Sequence, residues 1–253
     1  MDIYSITEVE TELRATSDAA CGNGIKTLLD THNISVEDFI KNKEKYSEDF
    51  IKHCHDGFKV AQNLVIKNIL TIQEEQELIT VNLKKARVEK NKPEISKLIK
   101  KQNHLENIII LFKHCADALV WQLIQGQLWI SRRLYLNVGG QKKLKDVNLN
   151  SAIKVAEDIN SNPKNFVLIT DLTNNVQVGD LIGFIDGEFS VIEIKECEKN
   201  LKVLQIIEDL SKNKKTPKEV FDDFSEEPKM LEQLSRTLKQ HQTLQEVHKI
   251  LSN

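Results

Sequence analysis

Residues 178–195 read VGDLIGFIDGEFSVIEIK, and this stretch decides the fold of the C-terminal half of the chain. Two apolar runs flank the dipeptide Asp186-Gly187, which is favoured in tight turns between antiparallel strands. The second run alternates, so that Glu193 and Lys195 project from the same face of a strand. The stretch therefore predicts a β-hairpin with strands over Val176–Ile185 and Phe189–Lys195.

The residues before this hairpin predict one more strand and a helix. Phe166–Leu172 is apolar and rich in β-branched residues, and Asn174-Asn175 separates it from the next run. Asn150–Ile159 has the apolar spacing of a short helix, and Asn162-Pro163 follows its end. The predicted order is helix, strand, strand, strand.

The first 136 residues have the pattern of helices. Apolar residues recur at three- and four-residue steps from Phe58 to about Asn91 and again over Pro93–Leu136. Two such helices joined by a short turn predict an antiparallel hairpin, with Gly126 bending or ending the second helix. The Gly pair in Val138-Gly139-Gly140 marks a boundary. The expected fold is α+β, with a helical domain over 1–137 and an α/β domain over 138–253.

Composition and charge limit the possible functions. Apolar residues make up 40% of the chain and charged residues 29%, as in soluble globular proteins. The formal net charge is −3, so any basic surface for nucleic acid must be local. Neither a secretion signal nor an apolar run of about 18 residues is present. We therefore expect a cytoplasmic protein with no membrane span, and its four cysteines as free thiols.

Three charged side chains of the hairpin can meet at one place. Asp180 stands early in its first strand, and the turn folds Glu193 and Lys195 back beside it. Two carboxylates are costly to bury without partners, and Mg²⁺ or Mn²⁺ binds such a pair together with water and phosphate oxygens. The metal would polarise a phosphate and activate water, while the ammonium of Lys195 orients that water or offsets charge on phosphorus. This combination predicts phosphodiester hydrolysis.

Gly179-Asp180, twelve intervening residues and then Glu193-Ile194-Lys195 resemble the core motif of the PD-(D/E)xK nuclease superfamily. The order helix, strand, strand, strand is also that of its core, and the resemblance covers about residues 150–250. It implies a restriction-endonuclease-like core with a mixed sheet, Asp180 and Glu193 as metal ligands, and Lys195 as the catalytic lysine. It also implies Glu157, in the helix before the first strand, as a further metal ligand. The sequence departs from the pattern at Val178-Gly179, where some members have a proline.

Several features have an ordinary alternative. The same sequence is also consistent with a hairpin in which Glu193 and Lys195 form a cross-strand pair on the surface. Four basic residues are candidates for nucleic-acid contacts, although solvated helix ends and an amphipathic helix explain them equally simply: Arg132, Arg133, Arg236 and Lys239. In the second long helix, three side chains share one face and predict a buried contact between the helices and the C-terminal core: His114, Asp117 and Trp121.

Taken together, the sequence predicts a Mg²⁺- or Mn²⁺-dependent DNA endonuclease. The usual roles of the superfamily imply an effector in bacterial defence against phage. The alternative is a catalytically inactive nuclease fold that acts as a binding or assembly module through its long helices. Those helices also predict a homodimer or a partner protein bound to the N-terminal region.

Overall fold

The computed structural model describes residues 6–135, 144 and 149–194, and nine further single positions: residues 206, 207, 209, 210, 216, 220, 234, 235 and 238. The helices are α1 (Ile6–His32), α2 (Val36–Lys41), α3 (Lys43–Val88), α4 (Lys92–Leu123), α5 (Leu128–Leu134) and α6 (Leu149–Asn160). The strands are β1 (Phe166–Ile169), β2 (Leu181–Ile185) and β3 (Glu188–Ile192), and they form one sheet in the order β1-β2-β3. None of the helices in these ranges combines the length and apolar character needed to cross a bilayer.

The chain forms two compact units, Met1–Ser190 and Val191–Asn253. This division differs from the boundary predicted after residue 137, because α1 to α6 share the first unit with β1 and β2. Side chains of α3 and α4 hydrogen-bond to β1 and to the loop that follows it, as described below. In the second unit, the described residues include a small apolar cluster formed by Ile206, Val220 and Leu234, with Ile207, Leu210 and Leu238 packed against it.

The predicted helical hairpin is present as α3 and α4. The turn falls at residues 89–91, between the two predicted helices, and the Asn91 side chain caps α4 by accepting a bond from the backbone N–H of Glu94 at 3.2 Å. The N–H of Gly126 donates to the carbonyl oxygen of Trp121 at 2.9 Å, so α4 ends just before this glycine. However, α3 begins at Lys43, well before the predicted start at Phe58.

The helices pack through the apolar stripes that the sequence shows. On α3 the buried residues recur every three or four positions, with buried Gln76 between Ile72 and Ile79: Ala61, Val65, Ile69, Ile72, Gln76, Ile79, Leu83 and Ala86. On α4 they face the same interior: Leu98, Leu105, Ile108, Ile109, Phe112, Ala116, Leu119 and Leu123. Each fully buried Leu, Ile or Phe contributes about 1.5–3 kcal/mol relative to exposure, so these residues supply a large part of the apolar core.

The sheet is antiparallel, with Phe166 opposite Phe184 and Ile169 opposite Leu181. Its strands are shorter than predicted, because Thr170–Leu172 forms a 3₁₀ turn and β2 begins only at Leu181. The described residues thus confirm an α+β protein that is mostly helical with a small sheet. The mixed sheet of a restriction-endonuclease-like core stays a prediction.

Side-chain amides cover the outer edge of β1. Gln62 of α3 accepts a bond from the N–H of Ile169 at 2.9 Å and donates to the carbonyl oxygen of Val167 at 3.5 Å. Asn160 of α6 accepts from the N–H of Val167 at 2.8 Å and donates to its carbonyl oxygen at 3.2 Å. An edge strand offers unpaired backbone groups to other chains, and these amides satisfy them within the fold.

Candidate functional site

Asp180 is the last residue before β2 and is half-buried. Its carbonyl oxygen accepts bonds from the backbone N–H of Thr170 at 3.0 Å and from the Thr170 hydroxyl at 3.2 Å. The preceding Gly179 has φ +72°, a left-handed conformation that glycine adopts readily. Proline is fixed near φ −65° and cannot take this conformation. A proline before Asp180 is therefore not compatible with this loop backbone.

A buried lysine anchors the loop between β1 and β2. Lys113 lies on the core face of α4 and is only 8% exposed. Its Nζ donates to the carbonyl oxygens of Asp171 at 2.9 Å and Thr173 at 3.4 Å. Burial lowers the pKa of this ammonium, while the nearby charges of Asp171, Asp117 and Glu106 oppose the shift. The lysine thus serves as a donor to loop carbonyls, and sequence reasoning overlooked it although it occupies a core position of α4.

Asp117, one turn further along α4, holds the same loop. Its Oδ1 accepts bonds from the backbone N–H groups of Asn174 at 3.0 Å and Asn175 at 3.1 Å. Its Oδ2 accepts from the Asn174 side-chain amide at 3.0 Å and lies 3.3 Å from Nδ1 of His114. A carboxylate that takes several N–H groups makes charge-assisted bonds, which are stronger than neutral ones. The predicted contact between α4 and the C-terminal core is therefore made by Asp117.

The other two residues of that predicted contact, His114 and Trp121, are not buried as predicted. His114 touches the loop through its bond with Asn174, yet its side chain is 59% exposed. Trp121 is 46% exposed, so the prediction that it is buried was wrong. The reason is geometric: the loop meets α4 at Asp117, whereas Trp121 lies one turn further along, where the helix ends. The loop also bonds to α5, because the N–H of Gln177 donates to the carbonyl oxygen of Leu134 at 2.8 Å.

Glu157 lies on the exposed side of α6. It lines a surface groove of about 200 Å³ between α6 and α3, together with Lys59 and Asn63 of α3 and Ile169 of β1. Among the described residues, Asp180 is not part of this groove. The structure therefore adds no support for Glu157 as a ligand to the same metal as Asp180.

The other predicted residues lie in different parts of the chain. Glu193 directly follows β3, is half-buried and belongs to the second unit, whereas Asp180 belongs to the first. Lys195, Arg236 and Lys239 lie outside the described residues. Within the described ranges, no three His, Cys, Asp or Glu side chains group closely enough to hold a metal ion. A two-carboxylate site needs fewer side chains than such a group, because Mg²⁺ takes only one or two protein carboxylates.

Arg132 and Arg133 lie on α5 and are exposed, as is Trp129 in the preceding turn. The opposite side of α5 is anchored in the core by Ile130 and Leu134. The two arginines are therefore presented to solvent by a fixed helix.

Cysteine chemistry has little support in the described residues. Three of the four cysteines are free thiols, as predicted, and Cys197 lies outside the described residues. Burial raises the pKa of Cys54 to about 11 and also raises the pKa of Cys115. A raised pKa keeps a thiol protonated at neutral pH, so neither residue is an activated nucleophile.

No protein-family model, curated protein or solved structure matches this chain.

Proposed function

We propose that the protein is a metal-dependent nuclease, with Asp180 and Glu193 as the metal-binding carboxylates and Lys195 as the catalytic lysine. The observation that carries the proposal is the position of the two acidic residues relative to the strands. Asp180 immediately precedes β2, and Glu193 immediately follows β3. The strands are neighbours in the sheet, and only Asp186-Gly187 separates them. The start of one strand and the end of the next are expected at the same end of such a hairpin.

The donor set fits a hard divalent cation. Two carboxylates, water and phosphate oxygens make the all-oxygen environment that Mg²⁺ and Mn²⁺ favour. Such a cation, when bound, supplies Lewis acidity and a more acidic water. Asp180 would contribute one negative charge from a loop that Lys113 and Asp117 fix to α4, and Glu193 would contribute the other from the end of β3. The ammonium of Lys195 would offset the charge that develops on the phosphate during cleavage.

The order of the surrounding elements also supports the proposal. α6 precedes β1, and β1, β2 and β3 follow without an intervening helix of four or more residues. This is the order that the resemblance to the PD-(D/E)xK superfamily implies. The proposal includes only the carboxylates of Asp180 and Glu193. Glu157 is left out because it lines a groove between α6 and α3. DNA as the substrate and a role in defence against phage are carried by the resemblance alone.

The test is cleavage of end-labelled single- and double-stranded DNA and RNA in Mg²⁺, Mn²⁺ or EDTA. The wild type is compared with Asp180→Asn, Glu193→Gln and Lys195→Ala. We expect metal-dependent cutting that falls about 100-fold or more in each variant, as when one contact to developing charge is lost. The matched control is Glu188→Gln, since Glu188 begins β3 and is exposed. Cutting in EDTA, equal cutting by wild type and Glu193→Gln, or no cutting under any condition would contradict the proposal.

A second candidate is an assembly module that acts through its long helices. α3 exposes three apolar residues on one face near its C-terminal end: Leu78 (63%), Val81 (51%) and Val88 (82%). Exposed apolar side chains at such spacing suit helix-to-helix association between copies of the chain. Sedimentation of the wild type and of the double variant Leu78→Glu/Val81→Glu tests this candidate. It predicts a homodimer that the double variant dissociates, and a monomeric wild type would rule it out.

A further inference from the structure

The sequence around the corner between α4 and α5 is unusual in charge. Residues 118–145 contain five basic residues and no Asp or Glu. At the average frequency of acidic residues in this chain, a run of that length holds about four. The same run contains both tryptophans of the protein, Trp121 and Trp129. In a chain with a net charge of −3, this is a local basic and aromatic segment.

Four of these side chains are exposed where α4 ends and α5 follows, and we call them the corner surface: Trp121, Trp129, Arg132 and Arg133. Trp129 is followed at three and four positions by the two arginines, so the three share one face of α5. Trp129 is 45% exposed and Trp121 is 46% exposed. Among the described residues, no carboxylate forms an ion pair with either guanidinium.

The corner surface is held in place by the turn beneath it. Gln125 and Gly126 both have positive φ values, and the bond from the N–H of Gly126 to the carbonyl oxygen of Trp121 closes the turn. The indole of Trp121 lies against Gly126, so that a Cβ at this glycine would contact the ring at 3.5 Å. Buried Leu134 fixes the far end of α5. The backbone that carries the aromatic and basic groups is thus fixed, which lowers the entropic cost of binding.

We infer that the corner surface binds an unpaired nucleic-acid strand, with bases stacking on Trp121 and Trp129 and phosphates meeting Arg132 and Arg133. Exposed aromatic rings beside arginines are the chemistry that recognises single strands, since each stacked base contributes about 1–3 kcal/mol. Bases in a duplex are already stacked on each other and do not offer their faces. The positive charge favours a polyanion over an apolar protein partner. The inference rests on the proposed function in one respect, because it names an unpaired nucleic-acid strand as the substrate of the proposed nuclease.

Tryptophan fluorescence provides a direct test. The protein has only two tryptophans and both lie in the corner surface, so all of its tryptophan emission reports on this site. The protein is titrated in EDTA, without cleavage, with an oligo-dT, an oligo-rU, a duplex of equal length and inorganic polyphosphate. We expect quenching by at least one of the two single strands, with an affinity at least about 10-fold above that for the duplex or polyphosphate.

Matched variants separate stacking from other kinds of binding. Trp129→Leu keeps an apolar side chain but no ring and is expected to weaken binding by about 5-fold or more, whereas Trp129→Phe keeps a ring and stays closer to the wild type. The double variant Arg132→Gln/Arg133→Gln is expected to lower the slope of log K against log salt by about 1.4, the value for two phosphate contacts of a single strand. Arg87→Gln is the control, because Arg87 is exposed near the end of α3.

Several results would overturn the inference. They are no quenching by either single strand, equal binding of duplex or polyphosphate, or a Trp129→Leu variant that binds as well as Trp129→Phe. The last result would show that base stacking on Trp129 does not contribute to binding. Because binding is measured in EDTA, its outcome is independent of cleavage. Quenching without any later cutting in Mg²⁺ contradicts the proposed function alone, and cutting without quenching contradicts this inference alone.

Discussion

Removal of the Asp117 carboxylate should loosen the loop that carries Asp180. Three donors of Asn174 and Asn175 converge on this carboxylate at 3.0–3.1 Å, and the Asp117 side chain is 14% exposed. Asp117→Ala removes every one of these acceptors. Asp117→Asn keeps an oxygen for the two backbone N–H groups but turns an amide toward the Asn174 side chain. The expected order of stability is wild type, then Asp117→Asn, then Asp117→Ala.

The magnitude follows from the contacts. A hydrogen bond to a charged group contributes about 1.5–3 kcal/mol net, and the loss of a partner leaves the remaining group to be solvated. Asn174 is half-buried but Asn175 is exposed, so water can replace the bond to Asn175. The three bonds are also not additive, because they share one carboxylate. We therefore expect Asp117→Ala to cost about 2–4 kcal/mol and Asp117→Asn about half as much.

Two measurements check this prediction. Urea unfolding followed by circular dichroism gives the change in free energy, and hydrogen exchange at the amides of Asn174 and Asn175 reports the loop itself. Exchange at both amides should become faster in Asp117→Ala. The control is Asp158→Ala, an exposed aspartate of α6, with an expected change within about 0.5 kcal/mol. If Asp117→Ala matches this control in stability and leaves exchange at both amides unchanged, the anchoring account is refuted.

Three further predictions concern the packing around β1. Gln62→Leu leaves the N–H of Ile169 without its partner and should cost about 1–3 kcal/mol of unfolding free energy. His55 is buried, and desolvation lowers its pKa. The unfolded chain then binds a proton more readily, so the wild type should lose stability as pH falls through about 6.5, and His55→Leu should lose less. Gly183→Ala places a Cβ against the carbonyl oxygen of Phe166 and should cost about 1–3 kcal/mol.

Urea titrations at fixed and varied pH measure all three. Asn63→Leu is the control for Gln62→Leu, because Asn63 is an exposed neighbour on the same helix. Gly22→Ala is the control for Gly183→Ala, since a Cβ at Gly22 meets nothing within 4 Å. A Gln62→Leu variant as stable as Asn63→Leu, a pH dependence identical in wild type and His55→Leu, or a neutral Gly183→Ala would each contradict its prediction.

The sequence predicted the elements around the site because their signals are local. Asp186-Gly187 lies between β2 and β3, and the spacing of apolar residues predicted α6 within one residue at each end. Ser35 and Asp38, which stand three residues apart in the sequence, form a capping box at the start of α2. Each of these features depends on neighbours within a few residues, which a single sequence displays.

The parts that differ depend on partners far along the chain. The sequence has strand propensity from Phe166 to Leu172, yet Thr170–Leu172 forms a 3₁₀ turn. In this turn the carbonyl oxygen of Asp171 accepts a hydrogen bond from Lys113. The start of α3 was not predicted because few residues are buried in its first turns. Between Lys43 and Phe58 the buried residues are Tyr46, His55, Gly57 and Phe58. A periodic apolar stripe is therefore weak over those turns, although the helix is continuous.

The candidate site also combines features that the sequence predicted with features that it could not predict. The chemistry of Asp180, Glu193 and Lys195 was predicted from residue types and spacing, and it stays a prediction. The loop anchors could not be predicted, because Lys113 and Asp117 act on backbone groups about 60 residues away. No local pattern indicates which carbonyl a buried lysine will meet. A lysine at a core position of an amphipathic helix was the one available signal.

Manganese binding tests the central claim, that Asp180 and Glu193 bind one divalent metal ion, most directly. Electron paramagnetic resonance of free Mn²⁺ gives the number of ions bound per chain, independently of cleavage. We predict one site in the wild type and in Glu188→Gln, and an affinity that falls at least about 10-fold in both Asp180→Asn and Glu193→Gln. A wild type that binds no Mn²⁺, or two variants that bind it as tightly as the wild type, would contradict the claim.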